Sequence, residues 1–170
     1  MVDLQKFCDD DKHALYSRGQ VLATPWSAAE NTFASNGHII IRVSRRADVP
    51  ERKNAPVLTE LSKWFFKEPE KWYPIPADMD PKPIEIPCKE CNGKGKHKYQ
   101  GSLIDCEDCG GEGKYDKHRR IPIGDEAGFS NVYLSWLAEL PGVEMGPFGA
   151  EEPARFRFQG GDGLLMPMRS

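Results

Sequence analysis

The hydrophobic positions of this chain fall into short alternating runs and two longer helical stripes. Residues 21–25 read as a short strand entering a turn. Residues 32–34 and 38–43 flank Asn36-Gly37, a dipeptide suited to tight turns because both residues accept positive φ. Within the second run Ile39, Ile41 and Val43 alternate with Ile40 and Arg42. Val57, Leu58, Leu61, Trp64 and Phe65 recur at helical spacing behind Pro56, whose missing N–H is harmless in a first turn. Pro69 ends that stripe, and six prolines between residues 67 and 87 predict an extended, stiff connection. Residues 120–124 read as a strand. Ser130 is placed to cap a second helix, with Tyr133, Trp136, Leu137 and Leu140 on its buried face and Pro141-Gly142 at its end. Strands follow at 143–145, 154–158 and 164–168, with a turn at 160–163. In the middle strand, Phe156 and Phe158 are expected to be buried while Arg155 and Arg157 stay wet.

A chain of 170 residues with 39% hydrophobic content and a net charge of −3 suits one domain with a small satellite. That balance does not advertise nucleic-acid binding, although it leaves room for a local basic face. The first residues lack the apolar stretch of a signal peptide, and no apolar run reaches membrane-spanning length. A reducing cytoplasm is therefore expected, with no membrane partner. Leu4, Phe7 and Cys8 can share one face of a short helix. Cys8 reads as an idle thiol, its ionisation opposed by Asp9, Asp10 and Asp11. His38 reads as a polar residue at a strand end.

Residues 88–113 carry the clearest chemistry. Cys88 and Cys91 form one Cys-x-x-Cys pair, and Cys106 and Cys109 form another. Gly93 and Gly95 follow the first pair at the same offsets as Gly111 and Gly113 follow the second. Four thiolates at this spacing can close a tetrahedral Zn²⁺ site with no open position, one ion per chain. The glycines suit chelating turns whose backbone angles a Cβ would hinder. Two disulfides would need an oxidising compartment. A redox pair would account for one motif but not for two matched ones. The paired C-x-x-C-x-G-x-G repeats resemble half of the cysteine-rich zinc domain of DnaJ-type chaperones, which has four such repeats and two zinc ions. No His-Pro-Asp signature of a J-domain occurs, so an Hsp70 partner is not implied.

Basic residues gather in two places. Arg42, Arg45, Arg46, Arg52 and Lys53 form one stretch, for which a solvated loop is the default reading. Residues 88–120 hold eight Lys/Arg against six Asp/Glu, with Lys96, Lys98, Arg119 and Arg120 flanking the cysteine turns. Arg42, Arg45, Lys96, Lys98, Arg119 and Arg120 are the candidate nucleic-acid contacts.

The ending G-L-L-M-P-M-R resembles the C-terminus of the bacterial DNA sliding clamp, the DNA polymerase III β subunit. The segment F-A-S-N-G-H-I-I-I-R-V followed by P-V-L-T-E-L is similar to the clamp's A-T-D-G-H-R hairpin and the helix after it. Ala34, Gly37 and His38 match that motif, Ser35 and Asn36 stand for Thr and Asp, and Ile39 replaces an arginine. The resemblance covers residues 20–66 and 119–170. It implies an α+β clamp-like domain, two helices packed on antiparallel sheet, with the zinc hairpin inserted between its halves. Residues 1–87 would form the first half with its Pro-rich linker, 88–118 the insertion and 119–170 the second half. Met166, Pro167 and Met168 match the stretch beside the clamp's peptide groove; a terminal core strand is the competing reading. A clamp subunit has three such domains, so one copy here would need homo-oligomers to surround DNA. The function expected is a non-catalytic zinc-binding module of DNA replication or repair, with DNA and a protein or peptide as partners. The alternative is a zinc-dependent chaperone or adaptor that grasps extended polypeptide. No catalytic residues stand out, since no carboxylate pair, Ser/His/Asp set or phosphate-cradling loop is visible.

Overall fold

Neighbouring residues on one central strand decide the architecture. Ile39 and Ile41 pack into one buried cluster while Ile40 packs into another, as the two-residue period of a strand requires. The sheet is therefore covered on both faces. The structure is a computed structural model, and it describes residues 1–9, 22–52, 57–99, 101–125 and 127–169. Val21, Lys53, Pro56, Asp10 and Asp11, and the side chains of Val57 and Leu58, lie outside the described residues.

In chain order the elements are β1 (Trp26–Ala28), β2 (Asn31–Ser35), β3 (Ile39–Ser44), α1 (Val57–Phe66), β4 (Tyr73–Pro74), β5 (Ile84–Pro87), β6 (Lys96–Tyr99), β7 (Ser102–Asp105), β8 (Lys114–Lys117), β9 (Arg120–Ile123), β10 (Ala127–Ser130), α2 (Asn131–Ala138), β11 (Glu144–Pro147), β12 (Ala154–Phe158) and β13 (Gly161–Leu165). Seven of the strands form an antiparallel sheet in the order β1-β2-β3-β13-β12-β11-β4. Strands β9 and β10 make a separate hairpin. The class is α+β.

One face of the sheet buries Trp26, Phe33, Ile40 and Leu164 with Phe65 of α1. The other buries Ile39, Ile41, Met145, Phe156 and Leu165 with Leu134 and Leu137 of α2, Phe129 of β10 and Phe7 of an N-terminal 3-10 turn, Gln5–Phe7. The helix stripes thus serve two different cores on opposite faces.

Several expectations are corrected. Residues 22–25 are not a strand; pairing starts at Trp26, where β1 meets β2. The Pro-rich connection is not merely a linker, because it contributes β4 to the sheet edge and buries Ile75. Ser130 does not cap α2 with its side chain; its Oγ is 2.8 Å from His118 Nδ1 instead. The last strand is Gly161–Leu165, and residues 166–168 lie beyond it. Gly161 and Gly163 look like turn residues but are strand residues chosen for closeness. A Cβ on Gly163 would stand 2.1 Å from the Phe156 ring and 2.3 Å from the Ile40 carbonyl. Arg155 is not wet: its guanidinium meets Glu68 at 2.6 Å and Asp162 at 3.2 Å, and Asp162 also takes both branches of Arg42.

Leu137 is fully buried, so Leu137→Ala should destabilise the body by about 2–5 kcal/mol. Leu103→Ala, at a side chain 66% exposed on the cysteine segment, should leave the same transition in place. Chemical denaturation followed by tryptophan fluorescence reads both.

Candidate metal centre

The inserted segment is a duplicated structure. Strand β5 pairs with β8 to make a stem, and β6 pairs with β7 to make a free hairpin. Between them lie two turns, residues 88–95 and 106–113, related by a shift of 18 residues. Their hydrogen bonds repeat with the same shift. The Cys88 N–H donates to Gly113 O at 2.8 Å, and the Cys106 N–H donates to Gly95 O at 2.8 Å. Gly93 N–H reaches Cys88 O and Gly111 N–H reaches Cys106 O, both at 3.0 Å. The Gly95 N–H donates to Cys91 Sγ at 3.2 Å, and the Gly113 N–H to Cys109 Sγ at 3.1 Å. The arm therefore has a local two-fold axis.

The axis explains the second glycine of each turn. Gly95 and Gly113 have φ of +71° and +76°. A Cβ on Gly95 would stand 2.2 Å from Gly111 O, and one on Gly113 would stand 2.5 Å from Gly93 O. Each turn presses its backbone against the other where a side chain would hold them apart.

At the axis the four sulfurs converge. Cys88 Sγ and Cys106 Sγ are 3.9 Å apart, Cys91 Sγ and Cys109 Sγ are 3.8 Å apart, and all four lie within 4.8 Å of one another. A disulfide would set sulfurs at about 2.05 Å, and all five cysteines of the chain are free. A tetrahedral ion with ~2.3 Å bonds to sulfur holds its ligands about 3.8 Å apart. The donor set thus fits a metal ion, and four protein ligands leave no open coordination position.

The thiols do not share ionisation equally. Burial opposes ionisation of Cys91, yet the Gly95 N–H and the neighbouring thiols outweigh it and bring the group down to about 7. Cys106 is pushed up to about 11, by burial first and then by the thiols of Cys109 and Cys88. A metal ion must displace the protons still held, so its binding tightens as pH rises.

Sequence reading missed the residues around the ligands. The Tyr115 hydroxyl donates to Asp108 and lies 3.2 Å from Cys88 Sγ. That bond to Asp108 is the main reason the Tyr115 hydroxyl is held far above its ordinary range. Asn131 ties the arm to the body. Its Nδ2 donates to Asp80 O at 2.9 Å and Lys82 O at 3.0 Å, and its Oδ1 accepts from the Arg119 N–H at 2.8 Å. Arg119 pairs with Asp80 at 2.8 Å across the same root. Asn131 opens α2, so only a fold that returns the chain there reveals its task.

The other candidate residues stand on separate elements. Arg42, below α1, is held by Asp162 and stacks over Phe65 at 4.3 Å. Arg45 reaches Glu51 and Ala29 O. Arg120, on β9, lies beside Gly128. Lys96 is 3.8 Å from Asp105 on the free hairpin, and Lys98 stands opposite Leu103 on that hairpin, exposed. The tail carries Met166 and Met168 as backbone donors to His38 O and Gly128 O, both at 2.8 Å, stitching β3 to β10. Met166 is 41% exposed. His38 stacks on Tyr133 with ring centroids 6.0 Å apart. Cys8 is buried, and burial rather than its acidic neighbours is the main cause that pushes its thiol up to about 11. Among the described residues no helix is long and apolar enough to cross a membrane.

No family model, curated protein or solved structure matches this chain.

Gly95→Ala should cut metal content per chain sharply, since the clash falls between the two ligand turns. Gly101→Ala, with nothing within 4 Å of its added Cβ, should retain the metal. Elemental analysis of the two purified variants decides this.

Proposed function

We propose that this chain is a non-catalytic interaction module in which Zn²⁺, bound by Cys88, Cys91, Cys106 and Cys109, shapes an arm that contacts nucleic acid. The body serves as a clamp-like platform of the replication and repair type. One observation carries the reading: the arm closes a four-thiol site at its centre while leaving nearly all of β6 and β7 in solvent. A metal with four thiolate ligands has no position for a reacting water, so its role is to hold shape. Zinc is the ion that four buried thiolates at tetrahedral spacing favour.

What the arm displays suits single strands. Lys96 and Lys98 alternate with His97 and Tyr99 along β6, and Tyr99 is 62% exposed. The period of a strand puts the cations on one face of β6 and the rings on the other, so a strand that wraps the open hairpin meets both parts of a sequence-tolerant single-strand site, cations that follow a backbone and rings that stack on bases. Arg42, Arg45 and Arg119 are held by carboxylates at 2.6–3.1 Å, while Lys96 has only a looser pairing with Asp105 at 3.8 Å and Lys98 is exposed, so the hairpin lysines, rather than those arginines, are the primary contacts.

A second reading rests on Leu103 and Ile104, 66% and 44% exposed on the same hairpin. Apolar side chains on an open strand pair also suit an extended polypeptide, as a chaperone or adaptor would use them.

Titration of the metal-loaded protein with a fluorescent single-stranded oligonucleotide separates the two. The nucleic-acid reading expects affinity to fall steeply with salt. Tyr99→Ala should weaken binding by about 1–3 kcal/mol, and Lys96→Gln should reduce the salt slope by about 1. Absence of binding at low salt, together with suppression of client aggregation, would replace this reading with the adaptor.

A further inference from the structure

The local two-fold axis of the arm relates side chains as well as backbone, and charge breaks that symmetry in one direction. Lys89 corresponds to Glu107, Lys94 to Glu112 and Lys98 to Asp116. The first ligand turn, residues 88–95, carries two lysines and one glutamate; the second, residues 106–113, carries three acids and no base. Lys89, Lys94, Glu107 and Glu112 are all exposed, and none is in an ion pair among the described residues. Four thiolates on a divalent ion add net negative charge at the axis, equally beside both turns, so the asymmetry comes from the side chains alone. The arm thus presents an acidic turn and a basic turn of the same backbone shape, side by side across its own axis.

We propose that this arm docks on the arm of a second copy of the chain, the acidic turn of each lying on the basic turn of the other. The inference rests on the reading of the arm as a contact surface. The observation that selects a second copy is the complementarity itself: two copies related by a two-fold axis form both contacts at once, and the association closes as a pair. Exposed ion pairs are individually weak and screened by salt, so several must act together. Tyr99, Leu103 and Ile104 of the free hairpin add apolar surface that a monomer leaves in water.

Sedimentation velocity on the full-length, metal-loaded protein tests this. At about 20 mM salt a concentration-dependent pair is expected, and its dissociation constant should rise about tenfold or more by about 200 mM. The double variant Lys89→Glu/Lys94→Glu should be monomeric, as should Glu107→Lys/Glu112→Lys. An equimolar mixture of the two should pair again, because each then offers only the complement of the other. Retained metal content shows that the variants keep the arm folded. A wild-type monomer at every concentration in low salt overturns the proposal, and so does a mixture that fails to pair. The nucleic-acid reading fails separately: Glu107→Lys/Glu112→Lys keeps every lysine of the hairpin, so loss of pairing with oligonucleotide binding intact is expected from it. A wild type that pairs but never binds the oligonucleotide contradicts that reading alone.

Discussion

The described residues of 84–117 have no apolar core, and that absence governs the design of the molecule. The buried cluster of this segment consists of Cys88, Cys91 and Cys106, with Cys109 packed against them. Of its larger apolar side chains, Ile84, Tyr99, Leu103, Ile104 and Tyr115 are exposed and Ile86 is half-buried. Burial of hydrocarbon cannot order a segment that buries almost none. Bonds from four thiolates to one ion can, because in small metal domains binding and folding are one equilibrium. The glycines follow from the same constraint. Two turns that must bring four sulfurs to one point have to touch backbone to backbone, and Gly95 and Gly113 are the residues that let them.

The body is built on a different principle. Its sheet has a separate apolar cluster on each face, so neither depends on the metal. What connects the two parts is polar. Asn131 is fully buried and satisfies three backbone groups, two on the chain leaving the body and one on the chain returning. Asp80, whose carboxyl is held below its usual range by the Lys82 N–H and by Arg119, completes the root. An arm fixed by directional hydrogen bonds keeps a defined start without sharing the body's core.

Legibility in the sequence followed how local each interaction is. The ligand set was readable because spacing alone specifies it, and so was the hairpin at Asn36-Gly37. There Asn36 Oδ1 accepts from the N–H groups of His38 and Ile39, a contact across three residues. The stripe of α2 was readable only in part: Leu137 is buried as expected, but the fully buried Leu134 was missed, Tyr133 and Trp136 are half-buried, and Leu140 lies past the end of the helix. The fate of Arg42 was not readable, because its partner Asp162 lies 120 positions away. Gly161 and Gly163 read as a turn because a glycine that clears a phenylalanine ring on the next strand looks, in sequence, like one that bends the chain. Ser130 had a cap's position but found His118 instead. The strand β10, rich in small residues and outside the seven-stranded sheet, has no alternating pattern to announce it.

The central claim is that one metal ion orders the arm while the body stands without it. Hydrogen exchange read by mass spectrometry, with and without a strong zinc chelator, tests it most directly. The account predicts that removing the metal abolishes protection across residues 84–117 and leaves the strands β3, β12 and β13 as protected as before. Unchanged protection in the arm, or loss spread evenly over arm and sheet, would contradict it.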